Sequence, residues 1–302
     1  MLSLGESALP MSPVAIQEGV ARLSRGTYFK EASLDMTLSL LTESAGQMTG
    51  FARISIWALA NRQSELRCLD LFERGAGHRS GMVLSAADFP KYFRALLRGE
   101  VVIADEPFQH PDIVEYAREQ LVPLGICAIL VTPIHIRGEL QGIFCIEQMG
   151  PRHPWTAVHR LFAQSVANLV TLALVEYEVD EARGQAREAD ERLKAVFAAS
   201  RDALVLADRD TGIVIDANSR AEHLFGYPRV DLIGKHQRQL HPTETTANQG
   251  SEFRWTAGSS TGSPIRTRVR RHDGSALDVD FTAEVAEVGE GRHLVLGILR
   301  PV

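Results

Sequence analysis

Hydrophobic and polar positions along the chain follow the alternating period of β-strands in some stretches and the helical period in others. The points at which the period changes predict how the chain is organised. Up to about residue 170 the pattern predicts mostly β-strands separated by helices, such as the strands FARISIWALA and ELRCLDLFER joined by a polar turn. From Thr156 a helical period continues for about forty residues. After Phe197 short strands and turns return. We therefore predict an α+β chain with two domains, each a central antiparallel β-sheet flanked by helices, joined by a long helix.

The same pattern gives predicted boundaries for these parts. Residues 1–29 form an N-terminal segment that ends in a helix, and residues 30–170 form the first domain. Residues 171–196 form the connecting helix, and residues 197–302 form the second domain. A length of 302 residues agrees with two domains of ordinary size.

The connecting helix carries apolar residues at alternating spacings of three and four, which is a heptad a/d series. This series predicts a parallel coiled coil between two copies of the chain, with Glu178 at a g position facing Arg183 at the following e position of the partner. The seam is rich in alanine, and the alternative is a helix that packs a narrow stripe onto its own domain. The predicted seam consists of Leu172, Val175, Val179, Ala182, Ala186, Ala189, Leu193 and Val196.

Composition excludes several classes of function. The net charge of −6 provides no global basic field that would attract nucleic acid or an anionic membrane. The longest weakly polar run, GICAILVTPIHI, is far shorter than a membrane span. An odd count of three cysteines argues against a secreted disulfide scaffold. We expect a soluble cytoplasmic protein that binds no nucleic acid and does not insert into a membrane.

Several short motifs in the second domain resemble those of PAS domains. Asn218 follows the second strand and precedes AEHLFGY, and LIGK, LHP and RRHDGS come later in the same order as in that family. The resemblance covers residues 193–302. We predict that Asn218 or Ser219 caps the short helix that follows, with a pocket-lining role for Asn218 as the alternative.

The first domain resembles GAF domains over residues 30–175. The resemblance depends on LGICAILVTPIHIRGELQGIFCIEQMG, followed by a tryptophan and a long exit helix, with GEVVIADEPFQHPD upstream. Both families imply a sheet that encloses a small ligand cavity and that regulates an output domain. We therefore expect a sensory module of a bacterial-type signalling protein, without a cofactor. Its output domain would be a histidine kinase or a cyclic di-GMP enzyme, acting in cis or in trans.

Strand alternation and proximity to the covering helices suggest which residues line each cavity. The alternative for both domains is an interior completely filled by its own side chains, in which case the chain would be a pure dimerisation scaffold. In the first domain the predicted wall is Trp57, Tyr92, Asp105, Tyr116, Ile134 and Glu147. In the second domain we predict Asn218, Phe225, Val269 and Phe281 as ligand contacts, within an apolar interior that also includes Val205, Leu224, Leu232 and Leu296.

Cysteine chemistry is the main catalytic alternative, because some GAF proteins are free methionine sulfoxide reductases. If Arg137 and Gly138 form a two-residue turn between ICAILVTPI and ELQGIFCIE, Cys145 faces Leu130 and Cys127 faces Gln148. That register places the two thiols roughly 10 Å apart, beyond disulfide reach. The cysteines are therefore expected to be core residues.

Other catalytic and metal-binding motifs are absent from the sequence. The histidine pairs 153/159 and 236/241 lack the spacing that places two ligands on one helical face. The sequence contains no phosphate-binding loop, no nucleophile elbow and no kinase histidine motif. We expect no catalytic residues, no metal site and no enzymatic activity.

Overall fold

The computed structural model describes residues 12–241, 264–289 and 291–302. The chain separates into two compact units between Arg183 and Gly184. Each unit contains an antiparallel sheet flanked by helices, which confirms the predicted α+β class. The division lies inside the helix that we predicted as the connection.

The sheet of the first unit has, within the described residues, seven strands in the order β3-β2-β1-β7-β6-β5, with β4 also paired to β2. Its strands are β1 (Arg53–Ala60), β2 (Glu65–Glu73), β3 (Gly77–Arg79), β4 (Val83–Ser85), β5 (Val102–Ala104), β6 (Ile126–Ile136) and β7 (Glu139–Met149). The helices that accompany it are α1 (Pro13–Leu23), α2 (Tyr28–Glu31), α3 (Leu34–Thr49), α4 (Pro90–Leu96) and α5 (Val114–Tyr116). A π-helical turn (Ala117–Leu121) and a 3₁₀ turn (Val122–Leu124) follow α5 directly.

The two faces of this sheet have separate hydrophobic cores. On one face, here called the α3 face, strand residues such as Ile54 and Leu130 pack with α1, α3 and the start of α6 (Ala157–Ala199). On the opposite face, here called the cavity face, Ile129 and Val131 pack with α4 and α5. Because side chains alternate along a strand, consecutive residues of β6 belong to different cores.

The β6–β7 hairpin confirms the predicted turn but not the predicted register. Arg137 and Gly138 both have positive φ values, 54° and 84°, as a type I′ turn requires. A bulge between Ile134 and His135 then shifts the register, because Ile134 pairs with Gly142 whereas His135 pairs with Leu140. Counting back from a turn assumes an unbroken ladder, which this bulge interrupts.

The register shift moves the cysteine partners by one residue. Cys145 faces Val131 and Gln148 faces Ala128, so the predicted pairs Cys145–Leu130 and Cys127–Gln148 are wrong. The conclusion drawn from them is unchanged, because Cys127 lies four residues before the partner of Cys145.

The second unit has a sheet of five strands in its described residues, in the order β10-β11-β12-β8-β9. Its strands are β8 (Ala203–Asp208), β9 (Val214–Ala217), β10 (Ile265–Arg270), β11 (Ala276–Val288) and β12 (Arg292–Pro301). The short helices α7 (Ser219–Phe225) and α8 (Arg229–Leu232) and a 3₁₀ turn (Gln237–Leu240) contribute to the core on its inner face.

Leu296 is on the outer face of this sheet, and its assignment to the interior was wrong. Val295 and Leu299 belong to the core, so Leu296 between them points outward, opposite Leu206 and Glu284. Hydrophobicity alone does not identify the inner face here, because β8 and β12 carry aliphatic side chains on both faces. The outward set is Leu204, Leu206, Leu294, Leu296 and Ile298.

Helix α6 is continuous over 43 residues, Ala157–Ala199, so the predicted helix at 171–196 is confirmed. Its first part packs Phe162, Val166 and Val170 into the core on the α3 face. In the described part of the chain it is the one helix whose length and composition would allow it to cross a membrane, and 39% of its apolar window is buried within the protein. The core helix of a soluble protein can pass the same test of length and composition.

Candidate functional site

A small cavity lies on the cavity face of the first sheet, beneath α4 and α5. Its volume is about 10 Å³, which is enough for one water molecule. The side chains around it fill almost all of the space in this state. They are Trp57, Leu84, Tyr92, Tyr116, Ile129, Val131, Ile143, Cys145 and Glu147.

The floor of the cavity is built by the register of β1 against β7. Ser55 lies opposite Cys145 and Trp57 lies opposite Ile143, so these side chains share one face of the sheet. The indole Nε1 of Trp57 donates a hydrogen bond to Ser55 Oγ over 2.9 Å. This bond satisfies the polar atom of a large buried aromatic ring and holds the ring against the sheet.

One end of the floor is a buried ion pair. Arg53 lies opposite Glu147 on β7 and Glu73 on β2. Its Nε is 2.6 Å from Glu147 Oε2, and its Nη1 is 2.5 Å from Glu73 Oε2. Burial works against the charged guanidinium, but the two carboxylates outweigh burial and raise the pKa of Arg53. The cavity wall therefore includes the carboxylate of Glu147, whose negative charge is balanced by Arg53.

The roof of the cavity is formed by two tyrosines. The rings of Tyr92 on α4 and Tyr116 on α5 stack with centroids 4.3 Å apart and planes 7° apart. Phe89 meets Tyr116 edge-on at 5.5 Å. Burial raises the pKa of both phenols well above the ordinary value for tyrosine. The π-helical turn begins directly after Tyr116, and such turns are frequent at functional sites.

Four of the six predicted wall residues of this domain, Trp57, Tyr92, Tyr116 and Glu147, come together at the cavity. Ile134 does not, because it belongs to the core on the α3 face. Asp105 does not line the cavity either. Its carboxylate accepts a hydrogen bond from the Trp155 backbone N–H over 3.0 Å, which connects the end of β5 to the segment before α6.

Sequence reasoning missed the aliphatic and thiol part of the wall. Ile129, Val131, Ile143 and Cys145 line the cavity, and they follow from alternation once one residue of each strand is assigned to a face. Ile134 is out of step with Ile129 and Val131, so strict alternation along β6 would have excluded it. Asp105 lies in a loop, where alternation carries no information.

The three cysteines are free, and their surroundings do not favour thiol chemistry. Burial, followed by the nearby carboxylate of Asp70, raises the pKa of Cys68 to about 12. Burial also raises the pKa of Cys145 well above its ordinary value. Cys68 and Cys145 lie on β2 and β7 with β1 between them, which separates their backbones by roughly 10 Å and prevents a disulfide. Cys127 is half-buried and donates weakly to the carbonyls of Gln148 and Gly150.

The described residues also include no group of three or more histidine, cysteine, aspartate or glutamate side chains that could hold a metal ion. Within the described range, the polar residues of the cavity therefore offer hydrogen bonds and one carboxylate to a ligand, without a metal cluster beside them.

In the second unit Asn218 is a structural residue, 3% exposed. Its Oδ1 accepts hydrogen bonds from the backbone N–H groups of Leu204 and Ala221, and the second of these bonds confirms the predicted cap of α7. Its Nδ2 donates to the carbonyls of Phe197 and Asp202. An amide has two acceptor sites and two donors, so Asn218 keeps none for a ligand. These contacts support the capping role and not the pocket-lining role.

The other predicted contacts of this unit lie in one core. Phe225, Val269 and Phe281 pack together with Val205, Leu224 and Leu232. Each of the three is at most 6% exposed. The structure therefore brings these residues together as a packed interior.

Comparison with known families follows the same division of the chain. Residues 33–174 match the GAF domain family, and residues 191–256 match the PAS domain family. The chain contains a GAF domain followed by a PAS domain. Domains of these two families are sensory domains typical of signalling proteins.

The GAF–PAS chain is also similar to a larger bacterial protein. An uncharacterized protein of Azorhizobium caulinodans is 26% identical over 210 residues, which is 68% of this chain. The match covers 27% of that relative, so the chain spans about a quarter of the length of the curated relative that it matches.

Solved structures of single domains resemble each part. The GAF domain of a phosphoenolpyruvate-protein phosphotransferase from Coxiella burnetii covers 57% of this chain and 99% of its own, at 15% identity and a TM-score of 0.46. The PAS domain of an HTR-like protein from Haloarcula marismortui covers 41% of this chain and 99% of its own, at 23% identity and a TM-score of 0.33. Free methionine-R-sulfoxide reductase from Neisseria meningitidis covers 60% of this chain and 99% of its own, at 13% identity and a TM-score of 0.43.

Proposed function

We propose that this chain is the sensory and regulatory part of a signalling protein that works as a parallel homodimer. A small ligand in the GAF cavity would bias two packings of the cavity wall, and α6 would carry that bias to the PAS domain and to an output domain. The observation that carries the proposal is the apolar stripe of α6, which extends beyond the GAF core and is exposed to solvent.

The stripe coincides with the predicted seam. Leu193 is 72% exposed and Val196 is 68% exposed, and Ala182, Ala186 and Ala189 between them and the GAF core are exposed too. A helix without tertiary packing is marginally stable in water. A matching helix from a second copy would bury the stripe and supply that packing.

Charged residues support the helix on its other sides. Arg187 pairs with Glu191, Arg192 with Glu188 and Lys194 with Asp190, each at a spacing of four residues. Such exposed pairs stabilise a helix by roughly 0.2–0.5 kcal/mol each and leave the a/d positions available.

The a/d spacing also continues towards the start of α6. Two heptads before Leu172 and Val175 it reaches Val158 and Leu161, with Ser165 next in the series. These three residues form one wall of an apolar groove of about 410 Å³, and α1 forms the other wall through Pro13, Ile16, Gln17, Val20 and Ala21. Leu161 is 69% exposed at this groove. Pairing along the seam would extend into it, so that α1 forms part of the same interface.

The ligand would be small and flat. Three aromatic residues and four aliphatic side chains surround the cavity, and Glu147 provides a carboxylate at one end. These groups favour a planar molecule that donates a hydrogen bond. Because the cavity has room for only about one water molecule, binding requires Tyr92 and Tyr116 to move apart.

The cellular location and the type of output domain are proposed from the kinds of protein in which GAF and PAS domains commonly occur. We propose a cytoplasmic location and an output domain of the histidine kinase or cyclic di-GMP type, in cis or in trans. The small cavity favours one second candidate, a dimerisation scaffold without a ligand. Native mass spectrometry of gently purified protein separates the two, because a sensor retains or accepts a ligand in the GAF domain and a scaffold does not.

The seam is tested by the mass of the protein in solution. We expect the wild type to sediment at twice its 33.2 kDa chain mass and the double variant Val179→Asp, Leu193→Asp to sediment as a monomer. Tyr177→Asp is the matched control, because Tyr177 is exposed on the same helix at an outward f position. A dimer that survives the double variant would remove the seam from the proposal, and a monomeric wild type would remove the homodimer.

A further inference from the structure

The C-terminal end of α6 is capped by a residue that is distant in sequence. The last four carbonyls of a helix have no partner within the helix. The carbonyl of Phe197, in the last turn of α6, accepts a hydrogen bond over 3.2 Å from Asn218 Nδ2, a side chain 21 residues later. One of the terminal carbonyls of α6 is therefore satisfied by a side chain of the PAS core.

Asn218 joins three elements through this single amide. Besides Phe197, its Nδ2 donates to the carbonyl of Asp202, and its Oδ1 accepts from Leu204 on β8 and from Ala221 on α7. The amide is buried and all four of its hydrogen bonds are made, so the three elements move together or the bonds break.

A second contact connects the same stretch to the C-terminal end of β12, the strand adjacent to β8. Arg300 on β12 makes two parallel hydrogen bonds to the Asp202 carboxylate, Nε to Oδ1 at 2.8 Å and Nη2 to Oδ2 at 2.7 Å. The next pair along this ladder, Leu299 opposite Ala203, joins β12 to the first residue of β8. Asp202 is therefore held at its carbonyl by Asn218 and at its carboxylate by Arg300.

We infer that Asn218 and the Asp202–Arg300 pair form a coupling junction, through which a shift of α6 reaches α7 and the end of β12. The junction comprises residues 197–204 with Asn218 and Arg300. This inference rests on the proposed function of α6 as the transmitting helix, and it specifies the contacts by which the PAS domain receives the movement. These contacts join the end of α6 to the PAS core in addition to the chain at 200–202.

The variant that separates the cap from the coupling is Asn218→Ser. Serine is a good helix N-cap, so α7 keeps its bond to the Ala221 N–H, while the bonds to Phe197 and Asp202 are lost. Val205→Ala is the matched control, because it weakens the PAS core at a buried position without touching the junction. In hydrogen exchange of the full chain, we expect amides 197–204 to exchange roughly 5- to 30-fold faster in Asn218→Ser than in the control.

Transmission is measured by constraining α6 and observing the PAS domain. Ala189→Cys, at a d position of the seam, is introduced in a Cys127→Ser background and oxidised to an interchain disulfide. With Asn218 present, or with Val205→Ala, oxidation should change exchange in α7 and β12. With Asn218→Ser that change should be lost. Equal transmission in Asn218→Ser and in the control overturns the inference.

The ion pair provides a rescue test. Asp202→Arg and Arg300→Asp should each reduce the oxidation-dependent change in β12, and the two together should restore it. Reduction without restoration removes Asp202–Arg300 from the junction.

Failure of the seam gives a different result. If Ala189→Cys forms no interchain disulfide, the homodimer is wrong, and the junction is judged by exchange of residues 197–204 alone. Faster exchange than in Val205→Ala then supports it, and equal exchange overturns it.

Discussion

Arg53 and Glu147 face each other across the β1–β7 pair, with Nε 2.6 Å from Oε2 and both side chains buried beside the cavity. Glu73 approaches the same guanidinium from β2, so one arginine serves two carboxylates in three adjacent strands. The arrangement places charge at the end of an otherwise apolar cavity.

Arg53→Met should lower the free energy of unfolding by roughly 3–5 kcal/mol, because it leaves the buried carboxylate of Glu147 without its ion-pair partner and Glu73 with Arg79 alone. Urea unfolding followed by tryptophan fluorescence measures the change. Arg79→Met is the control, since Arg79 pairs with the same oxygen of Glu73 but its side chain is 54% exposed, and removal of an exposed pair costs about 0–1 kcal/mol. Similar losses in the two variants would contradict a buried role for Arg53.

Tyr92 and Tyr116 should ionise only when the protein unfolds. Burial raises the pKa of both phenols, so the neutral form is favoured in the folded state. The stabilisation that this shift represents is fully present below a pH of about 10, the unfolded value, and is lost as the pH rises above it. Alkaline titration followed by tyrosinate absorbance should therefore show a step that coincides with loss of helical circular dichroism.

The double variant Tyr92→Phe, Tyr116→Phe should reduce this unfolding-linked step by two tyrosines. Tyr177→Phe, at an exposed position of α6, should leave the step unchanged. If Tyr92 and Tyr116 contribute tyrosinate absorbance before the protein unfolds, solvent reaches their hydroxyl groups in the folded state and the prediction is wrong.

Native protein should expose one reactive thiol to an aromatic disulfide reagent, and unfolded protein should expose three. Cys127 is half-buried, whereas Cys68 and Cys145 are buried and the pKa of each is raised. Cys127→Ser should therefore abolish the reaction of the native protein. A disulfide between Cys68 and Cys145 after mild peroxide treatment would contradict the observed strand order and restore the reductase alternative.

His241 should make the PAS domain less stable in mild acid. Burial lowers the pKa of this imidazole, and a hydrogen bond with the Arg268 backbone opposes that effect in part. As the pH falls below about 6.5, the unfolded chain takes up a proton that the folded state does not, so stability falls until the lower folded-state pKa is passed. Urea midpoints between pH 7.5 and pH 5 measure the slope.

His241→Gln should flatten that slope. His223→Gln, an exposed histidine on α7, serves as the control and should retain it. An unchanged slope in His241→Gln would assign the acid sensitivity to other groups.

The parts of this structure that depend on neighbouring residues follow from the sequence alone. The heptad spacing predicts a helix over 171–196, the Arg137–Gly138 pair predicts a hairpin turn, and Asn218 predicts the start of α7. Each of these is confirmed, because helix periods, turns and caps are decided within a few residues. The α+β class follows from the order in which such elements occur.

Contacts between distant residues were decided only by the tertiary structure. A bulge at Ile134 changed the partners of Cys145, and the packing of the sheet placed Ile134 on the α3 face and Leu296 on the outer face. Local periodicity contains no signal for a bulge, and it cannot choose between two faces that are both apolar.

The contacts of Asn218 show the same limit within one residue. Its cap of α7 joins residues three apart and could be predicted, while its bond to Phe197 joins residues 21 apart and could not. Likewise Asp202 and Arg300 are 98 residues apart. Such pairs form because the folded sheet brings β12 beside β8, and only the complete fold determines that adjacency.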